Sequence, residues 1–181
     1  MARSEITYRR LVAEDLARIG DIDRTERIDK IYVQHGTQLE ERIGDWSAPA
    51  WFSEREGEHS VAYQRAECER HLAAGAIGAA AFAGERLVGI GLVTPHIRPG
   101  IAQFAFLYVS NGYRGHGVGA QLADELEGMA RKQANGTIVV SATPSVNTVR
   151  FYIGRGFEPT SDPLPELYEL EPEDVHMQKR L

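Results

Sequence analysis

Apolar and basic residues alternate at the start of the chain, the period of a half-buried strand, and predict a first β-strand from Ile6 to Leu11. A short helix is expected over Ala13 to Ile19, with Asp15 in its first turn, where the helix dipole favours a carboxylate. Ile28 to Val33 and Thr37 to Ile43 flank His35-Gly36 and read as strand, turn and strand. Gly44 to Gly57 reads as a loop carrying Trp46, Pro49, Trp51 and Phe52. Rings so closely spaced either plug the edge of a core or line a pocket. Ser60 to Ala74 has the character of a helix, ended by Gly75.

The middle of the chain is more apolar. Ile77 to Ala83, the turn Gly84-Glu85-Arg86 and Leu87 to Thr94 form a predicted hairpin. Pro95 to Gly100 reads as a connection, and Ile101 to Val109 as a third strand. Val118, Leu122, Leu126, Met129 and Ala130 make one stripe on a helix over 118–133, with Asp124, Glu125 and Glu127 on other faces. Asn135-Gly136 suits a left-handed exit, and Ile138 to Ala142 is a short apolar strand of the kind covered on both faces. Strand, helix and strand in that order imply a parallel crossover inside a mixed sheet. A second short helix, Thr148 to Arg155, is followed by Gly156 and a strand opening at Phe157. After prolines at 159, 163, 165 and 172, Val175 to Leu181 is the expected final strand. No linker or repeat interrupts the pattern, so a single domain over 1–181 is expected, of mixed α/β class.

Composition excludes more than it specifies. With 43% hydrophobic and 25% charged residues in 181, the chain is neither fibrous nor disordered. A net charge of −6 argues against a general nucleic-acid surface, though it is silent about a local anion site made of backbone N–H groups. Cys68 is the only cysteine, which rules out an internal disulfide and reads as a structural thiol. The histidines are scattered, so no metal site is expected. The segment from Met1 to Arg10 lacks a signal-peptide core and no apolar run suits a bilayer, so the expectation is a cytoplasmic protein without membrane contact.

The most informative stretch joins the third strand to the long helix: Ser110-Asn-Gly-Tyr-Arg-Gly-His-Gly-Val-Gly-Ala120. The first N–H groups of a helix have no acceptor within it, and glycines beside them let an anion approach closely. Gly119 inside the helix costs about 1 kcal/mol against alanine, which a close ligand or strand would explain. Arg114 adds a fixed positive charge. The lysine and hydroxyl ending of an ATP-binding phosphate loop is missing, and the glycine spacing is not that of a dinucleotide fingerprint. A tight strand-to-helix turn with no ligand is the plain alternative.

Arg114 to Ala120 resembles the Arg/Gln-x-x-Gly-x-Gly/Ala signature of the GNAT superfamily of acetyltransferases. Further on, Asn147 to Phe157 is similar, in compressed form, to a second signature of that superfamily, with the expected strand between them. The resemblance covers 77–157 well, the start of the chain only in general layout. It implies a central, mostly antiparallel sheet splayed at its middle strands, with helices on both faces. It also implies a division into acceptor-side elements (1–76), a cofactor-binding core (77–157) and a C-terminal strand region (158–181).

By the same resemblance the cosubstrate is acetyl-CoA. Its pyrophosphate would rest on Arg114, Gly115, His116, Gly117, Val118 and Gly119, and its pantetheine arm beside Leu107, Tyr108 and Val109. Asn147 would touch the arm or order the following helix. Tyr152 would stand near the sulfur and act as the general acid for the departing thiolate. A tyrosine in that helix could equally just pack it onto the sheet. Superfamily members often carry a glutamate on the strand before the glycine turn, but here that strand has none, and Gln103 cannot serve. The candidate bases are Glu26, His35, Glu54, Glu58, His59 and Tyr108.

The acceptor pocket is expected from the first part of the chain, with Glu26, Tyr32, Trp46 and Trp51 as substrate-binding residues. Carboxylates mixed with rings suit a cationic amine on a small molecule. Two rivals are acetylation of a protein N-terminus or lysine, and an acyl-CoA-binding module without catalysis. The terminal strand, if it forms an exposed edge, could pair in a homodimer.

Overall fold

A computed structural model describes residues 5–181; the charged start, Met1 to Ser4, lies outside them. Nine strands and four α-helices are described: β1 (Ile6–Arg10), β2 (Glu26–His35), β3 (Gln38–Ala48), α1 (Val61–Ala73), β4 (Ile77–Ala83), β5 (Arg86–Arg98), β6 (Ile101–Val109), α2 (Val118–Lys132), β7 (Thr137–Ala142), α3 (Val146–Gly154), β8 (Glu158–Pro159), α4 (Pro165–Leu170) and β9 (Val175–Arg180). Seven strands make one sheet in the order β1-β4-β5-β6-β7-β9-β8, and β2 and β3 form a separate hairpin. Only β6 and β7 pair in parallel, the crossover expected from the strand–helix–strand pattern. Mixed, mostly antiparallel sheet architecture is confirmed.

Each face of the sheet has its own core. On one, Leu122 and Leu126 of α2 and Val149 of α3 pack with Val88, Phe104, Val140 and Phe157. On the other, Leu16, Ile19, Trp51 and Cys68 pack with Phe82, Ile90 and Leu92. α2 comes close to the sheet because β5 carries glycine beneath it. A Cβ at Gly89 would stand 2.8 Å from Leu122 Cδ1, and one at Gly91 only 2.6 Å from Leu126 Cδ1. Cys68 is fully buried, and burial, reinforced by Glu67 and Glu69, pushes its thiol up to about 12. It is a packing residue, as its sequence context suggests.

Several elements differ from the sequence reading. The segment Ala13–Asp21 is a 3-10 helix; Asp15 accepts from Val12 N–H at 3.0 Å and holds Arg9 at 2.6 Å. β3 continues to Ala48, so Trp46 lies on a strand and not in a loop. β5 continues through Pro95 to Arg98, taking in most of the expected connection. The run of prolines hides α4, which begins with Pro165 at a position where a missing N–H costs nothing. β9 is not an edge: it lies between β7 and the two-residue β8, and Gln34 of the hairpin donates to His176 O at 3.2 Å. Pairing through a free edge at Val175 to Leu181 is therefore ruled out over its first half.

Candidate active site

The decisive irregularity falls in β6. Leu92 pairs with Phe106 and Val93 with Phe104, leaving Ala105 as an extra residue, a β-bulge. Because side chains alternate every residue, one extra residue reverses which face the remainder addresses. Phe104 packs into the α2/α3 core, whereas Phe106 and Tyr108 turn to the opposite core. At the same point β6 and β7 part company. Their parallel pairing runs only from Ile101 with Thr137 to Phe104 with Val140. Beyond it β6 continues to Val109 and β7 to Ala142 without partnering each other. The sheet opens here into a wedge.

One side of the wedge presents free backbone. Ser110 N–H donates to Val88 O at 2.8 Å, so by the alternation of an antiparallel ladder the N–H and C=O groups of Leu107 and Val109 face the gap. Val109 O is taken by Arg114 Nε at 2.9 Å; the others have no partner strand on that side among the described residues. At the end of β6 lies the glycine turn. Gly115 (φ +73°) and Gly117 (φ +84°) adopt left-handed backbone that a side chain would strain, and nothing lies within 4 Å of where their Cβ would stand. Among the described residues, no N–H from Gly115 to Ala120 makes a well-formed hydrogen bond to a protein acceptor; the first such bond is Gln121 N–H to Gly117 O at 2.9 Å. A row of unpaired donors at the N-terminus of a fifteen-residue helix is an anion cradle. Gly119 lies against Phe151 and Val109 at 3.4 and 3.6 Å, ordinary contact, so closeness to the strand accounts for its size.

Arg114 does not reach outward from this turn. Its guanidinium donates to Val109 O, Thr25 O and Arg24 O at 2.9 to 3.0 Å and lies 3.8 Å from Glu26. It fastens the turn to the end of β6 and to the segment entering β2. His116 is exposed at the tip. Asn147 donates to Glu26 Oε1 at 3.1 Å, so Arg114, Glu26 and Asn147 form a polar chain across the mouth of the wedge. The helix α3 is capped by Ser145, whose Oγ accepts from Thr148 N–H at 3.2 Å. Sequence reasoning anchored on Asn147 missed Ser145, although a serine just ahead of an apolar helix is the usual sign of an N-cap.

Tyr152 lies on the other side of the wedge, 5% exposed, its ring 6.0 Å from Phe104 and 5.3 Å from Phe157. Its hydroxyl has no hydrogen-bond partner among the described residues. Burial, with Tyr108 nearby, raises its pKa well above the ordinary phenol value, so it stays protonated at any working pH. Tyr108 is raised by burial too, with Glu171 and Asp174 reinforcing the shift and Arg24 opposing it.

The expected acceptor residues are only partly brought together. Trp51 is 7% exposed and meets Tyr108 edge-on at 5.1 Å and Phe106 at 6.3 Å. Tyr32 and Glu26 lie on β2, which docks on α3: Tyr32 N–H donates to Pro144 O at 2.8 Å and Arg150 Nε to Tyr32 Oη at 3.3 Å. A cavity of about 160 Å³ lies along this seam, between Ile28 to Lys30 and Ser145 to Asn147. Trp46 is 40% exposed on the hairpin, its ring folded over Gly44, away from the Trp51 cluster. His35 is at the exposed hairpin tip beside Glu40, and Glu54, Glu58 and His59 are exposed. Of the candidate bases, Glu26 and Tyr108 alone border the wedge. The acidic turn Glu171 to Asp174, beside Tyr108, was missed; its only signal is a cluster of acids just ahead of an apolar strand.

A wedge-shaped opening in a mixed sheet, with an anion cradle at one end and a protonated phenol at the other, defines a group-transfer enzyme that takes a phosphate-bearing donor. The chain belongs to the GNAT acetyltransferase family: the family model described as an acetyltransferase (GNAT) domain matches residues 49–181. No curated protein matches the chain in sequence. Among solved structures, nourseothricin acetyltransferase superposes with a TM-score of 0.72 at 19% identity, over 97% of this chain and 98% of its own. A putative streptothricin acetyltransferase from Bacillus anthracis str. Ames, in complex with acetyl coenzyme A, gives 0.71 at 16% identity over 98% of each chain. PaiA N-acetyltransferase from Thermoplasma acidophilum, in complex with coenzyme A, gives 0.64 at 19% identity, over 98% of this chain and 99% of its own. Over 97 to 98% of its length, including the β2–β3 hairpin ahead of the family match, the chain thus shares their fold.

Proposed function

We propose that this acetyltransferase moves the acetyl group of acetyl-CoA directly to an amine of a small cationic molecule. The observation that carries the reading is the row of unpaired N–H groups from Gly115 to Ala120, continuous with the stretch of β6 that has left its pairing with β7. In this reading Gly115, His116, Gly117, Val118 and Gly119 hold the pyrophosphate through backbone donors, while Arg114 keeps the turn in place. Leu107 and Val109 pair with the pantetheine amides as a missing strand would, beside Tyr108, and Asn147 borders the arm. The N–H groups at the open end of β6 polarise the thioester carbonyl, and Tyr152 gives its proton to the thiolate. Holding both partners in one wedge supplies much of the rate.

A small acceptor is supported by the buried Trp51 cluster and by the β2–β3 hairpin laid along α3. It is supported as well by the names of the structural neighbours, which specify nourseothricin and streptothricin, both amine-bearing small molecules. Glu26, Tyr32 and Trp51 border the acceptor side; Trp46 would join them only if the hairpin shifted. An enzyme that draws on acetyl-CoA belongs in the cytoplasm, and no helix of the described residues is long and apolar enough to cross a membrane.

The test is a panel of amines with acetyl-CoA, followed by thiol release, beside calorimetric titration with coenzyme A. Tyr152→Phe should lower turnover by roughly 10²-fold, the ordinary worth of a general acid, with coenzyme A affinity nearly unchanged. Full turnover in that variant removes Tyr152 from the mechanism. Failure of coenzyme A to bind at all removes the donor assignment.

A further inference from the structure

The strand β6 carries no carboxylate, yet an amine that is protonated at neutral pH must lose a proton before it can attack. The fold supplies carboxylates from elsewhere. Val175 pairs with Ala142, so the residues just before β9 stand at the far side of the wedge, across from the end of β6. There Glu171, Pro172, Glu173 and Asp174 form a turn closed by Asp174 N–H donating to Glu171 O at 3.2 Å. The turn is built in. His176, 4% exposed, donates from Nε2 to Glu171 O at 3.0 Å, which fixes its tautomer, and its Nδ1 accepts from Ser141 Oγ at 3.3 Å. Gln34 locks the same place by accepting from His176 N–H at 2.8 Å.

The carboxylates so held have no cationic partner. Among the described residues Asp174 makes neither a salt bridge nor a side-chain hydrogen bond, although it is half-buried. Burial, with Glu171 and Glu173 beside it, raises it to about 7. The other groups facing this place are Tyr108 from β6, Arg24 beyond it, Tyr168 of α4 against the His176 ring, and His176 itself, whose pKa burial lowers against the opposing hydrogen bond to Glu171. Two further unpartnered polar groups adjoin Tyr108. The Trp51 indole nitrogen is buried without an acceptor, in a ring that meets Tyr108 edge-on. Tyr152, nine-tenths buried, offers its free hydroxyl next to Tyr108 from the opposite side. A cation with an apolar portion would answer the unpaired acids and the rings together.

We propose that the Glu171 to Asp174 turn is the ammonium receptor of the acceptor site and that Asp174 is the base that frees the attacking amine. The inference rests on the acetyl-transfer reading. The Asp174 carboxylate takes one proton from the ammonium, and the freed lone pair attacks the thioester carbonyl carbon. The carbon–sulfur bond breaks as Tyr152 protonates the thiolate. The new amide nitrogen gives up its extra proton to the Tyr152 phenolate, and Asp174 returns its proton to solvent. Rings from Trp51, Phe106 and Tyr108 select an acceptor whose ammonium lies close to an apolar or ring portion, with benzylamine and tryptamine as simple probes.

The experiment follows the Asp174 carboxyl carbon by NMR through a pH titration, with and without an amine panel that includes those two probes, and adds kinetics of Asp174→Asn and Asp174→Glu. A midpoint near 7 that drops when an amine is added, a loss of roughly 10²-fold in kcat/KM for the amine in Asp174→Asn, and partial rescue by Asp174→Glu support the proposal. The rise of kcat/KM through pH 7 should flatten in Asp174→Asn. Coenzyme A affinity should not change. A resonance that no amine moves, or an unchanged pH profile in Asp174→Asn, overturns it. Loss of coenzyme A binding by the wild type would instead sink the acetyl-transfer reading, while the amine-induced shift reports on Asp174 independently. Should Asp174→Asn fail to fold, the wild-type titration still decides.

Discussion

The two faces of the sheet are built by opposite rules. On the α2/α3 face the buried charges are answered. Glu127, 3% exposed, receives Arg155 at 2.8 Å and Lys179 at 2.7 Å, joining α2, the end of α3 and β9. Among the described residues, Arg155 Nε and the Tyr152 hydroxyl are left without a partner on this face. On the other face the polar groups are left open: the indole nitrogen of Trp51 has no acceptor and Asp174 has no cation. Leaving buried polar groups unpaired costs stability, and in the proposed reading the acceptor amine offsets that cost at Asp174. One face pairs its buried charges across three elements, and the other holds a half-buried carboxylate without a cation among the described residues.

The comparison is broken most forcefully from the paired side. Glu127→Ala takes from Lys179 its carboxylate and from Arg155 one of two, Asp124 remaining at 2.6 Å, and should cost about 3 kcal/mol, the lower end of the penalty for removing one member of a buried pair. Denaturant unfolding would read it, and a loss near that of a surface mutation would mean the cluster is not integral. Gly117→Ala places a Cβ on backbone at φ +84°, which costs about 1–2 kcal/mol, and it should weaken coenzyme A binding more than it weakens the fold. Calorimetry beside thermal melting separates the two; an unchanged affinity would show that the cradle is not used.

On the open side the effects on the fold are smaller. Trp51→Phe removes the orphaned nitrogen while keeping most of the ring. Its stability should change by less than about 1.5 kcal/mol, while KM for the amine rises and coenzyme A affinity holds. An equal loss for both ligands would make Trp51 a simple core residue. Asp174 gives the comparison its pH signature. Its folded pKa of about 7 lies above the unfolded carboxylate value of about 3.9, so its contribution to stability is complete below the lower value and is lost as pH rises through the upper. Asp174→Asn should therefore raise the melting temperature at pH 8 more than at pH 5. A rise of equal size at both would remove the unpaired charge from the account.

Legibility followed the same division. The crossover of β6, α2 and β7 was readable because its signals are local: a 3.6-residue apolar stripe, a short apolar strand, and glycines at 115 and 117 where the backbone turns left-handed. The left-handed exit from α2, however, falls on Ala134 (φ +58°) and not on Asn135-Gly136. The bulge at Ala105 had no such signal. Alanine suits either face of a strand, and the reversal of Phe106 and Tyr108 is imposed by their pairing with β5. Trp46 and Trp51 looked alike in a single aromatic loop; strand pairing carried one onto an exposed hairpin and packing drew the other under Tyr108. Arg114 looked like a ligand for phosphate, but carbonyls brought from residues 24 and 25 occupy it.

What the sequence determined by itself was the donor half: a strand, a glycine turn and a helix contiguous in the chain, whose free N–H groups follow from helix geometry whatever lies around them. What only the tertiary structure decided was the acceptor half. Trp51, Tyr108, Tyr152 and Asp174 come from four separate elements, and their meeting depends on where two parallel strands stop pairing. That point is set by long-range backbone hydrogen bonds, which leave no periodic trace in the residues that make them.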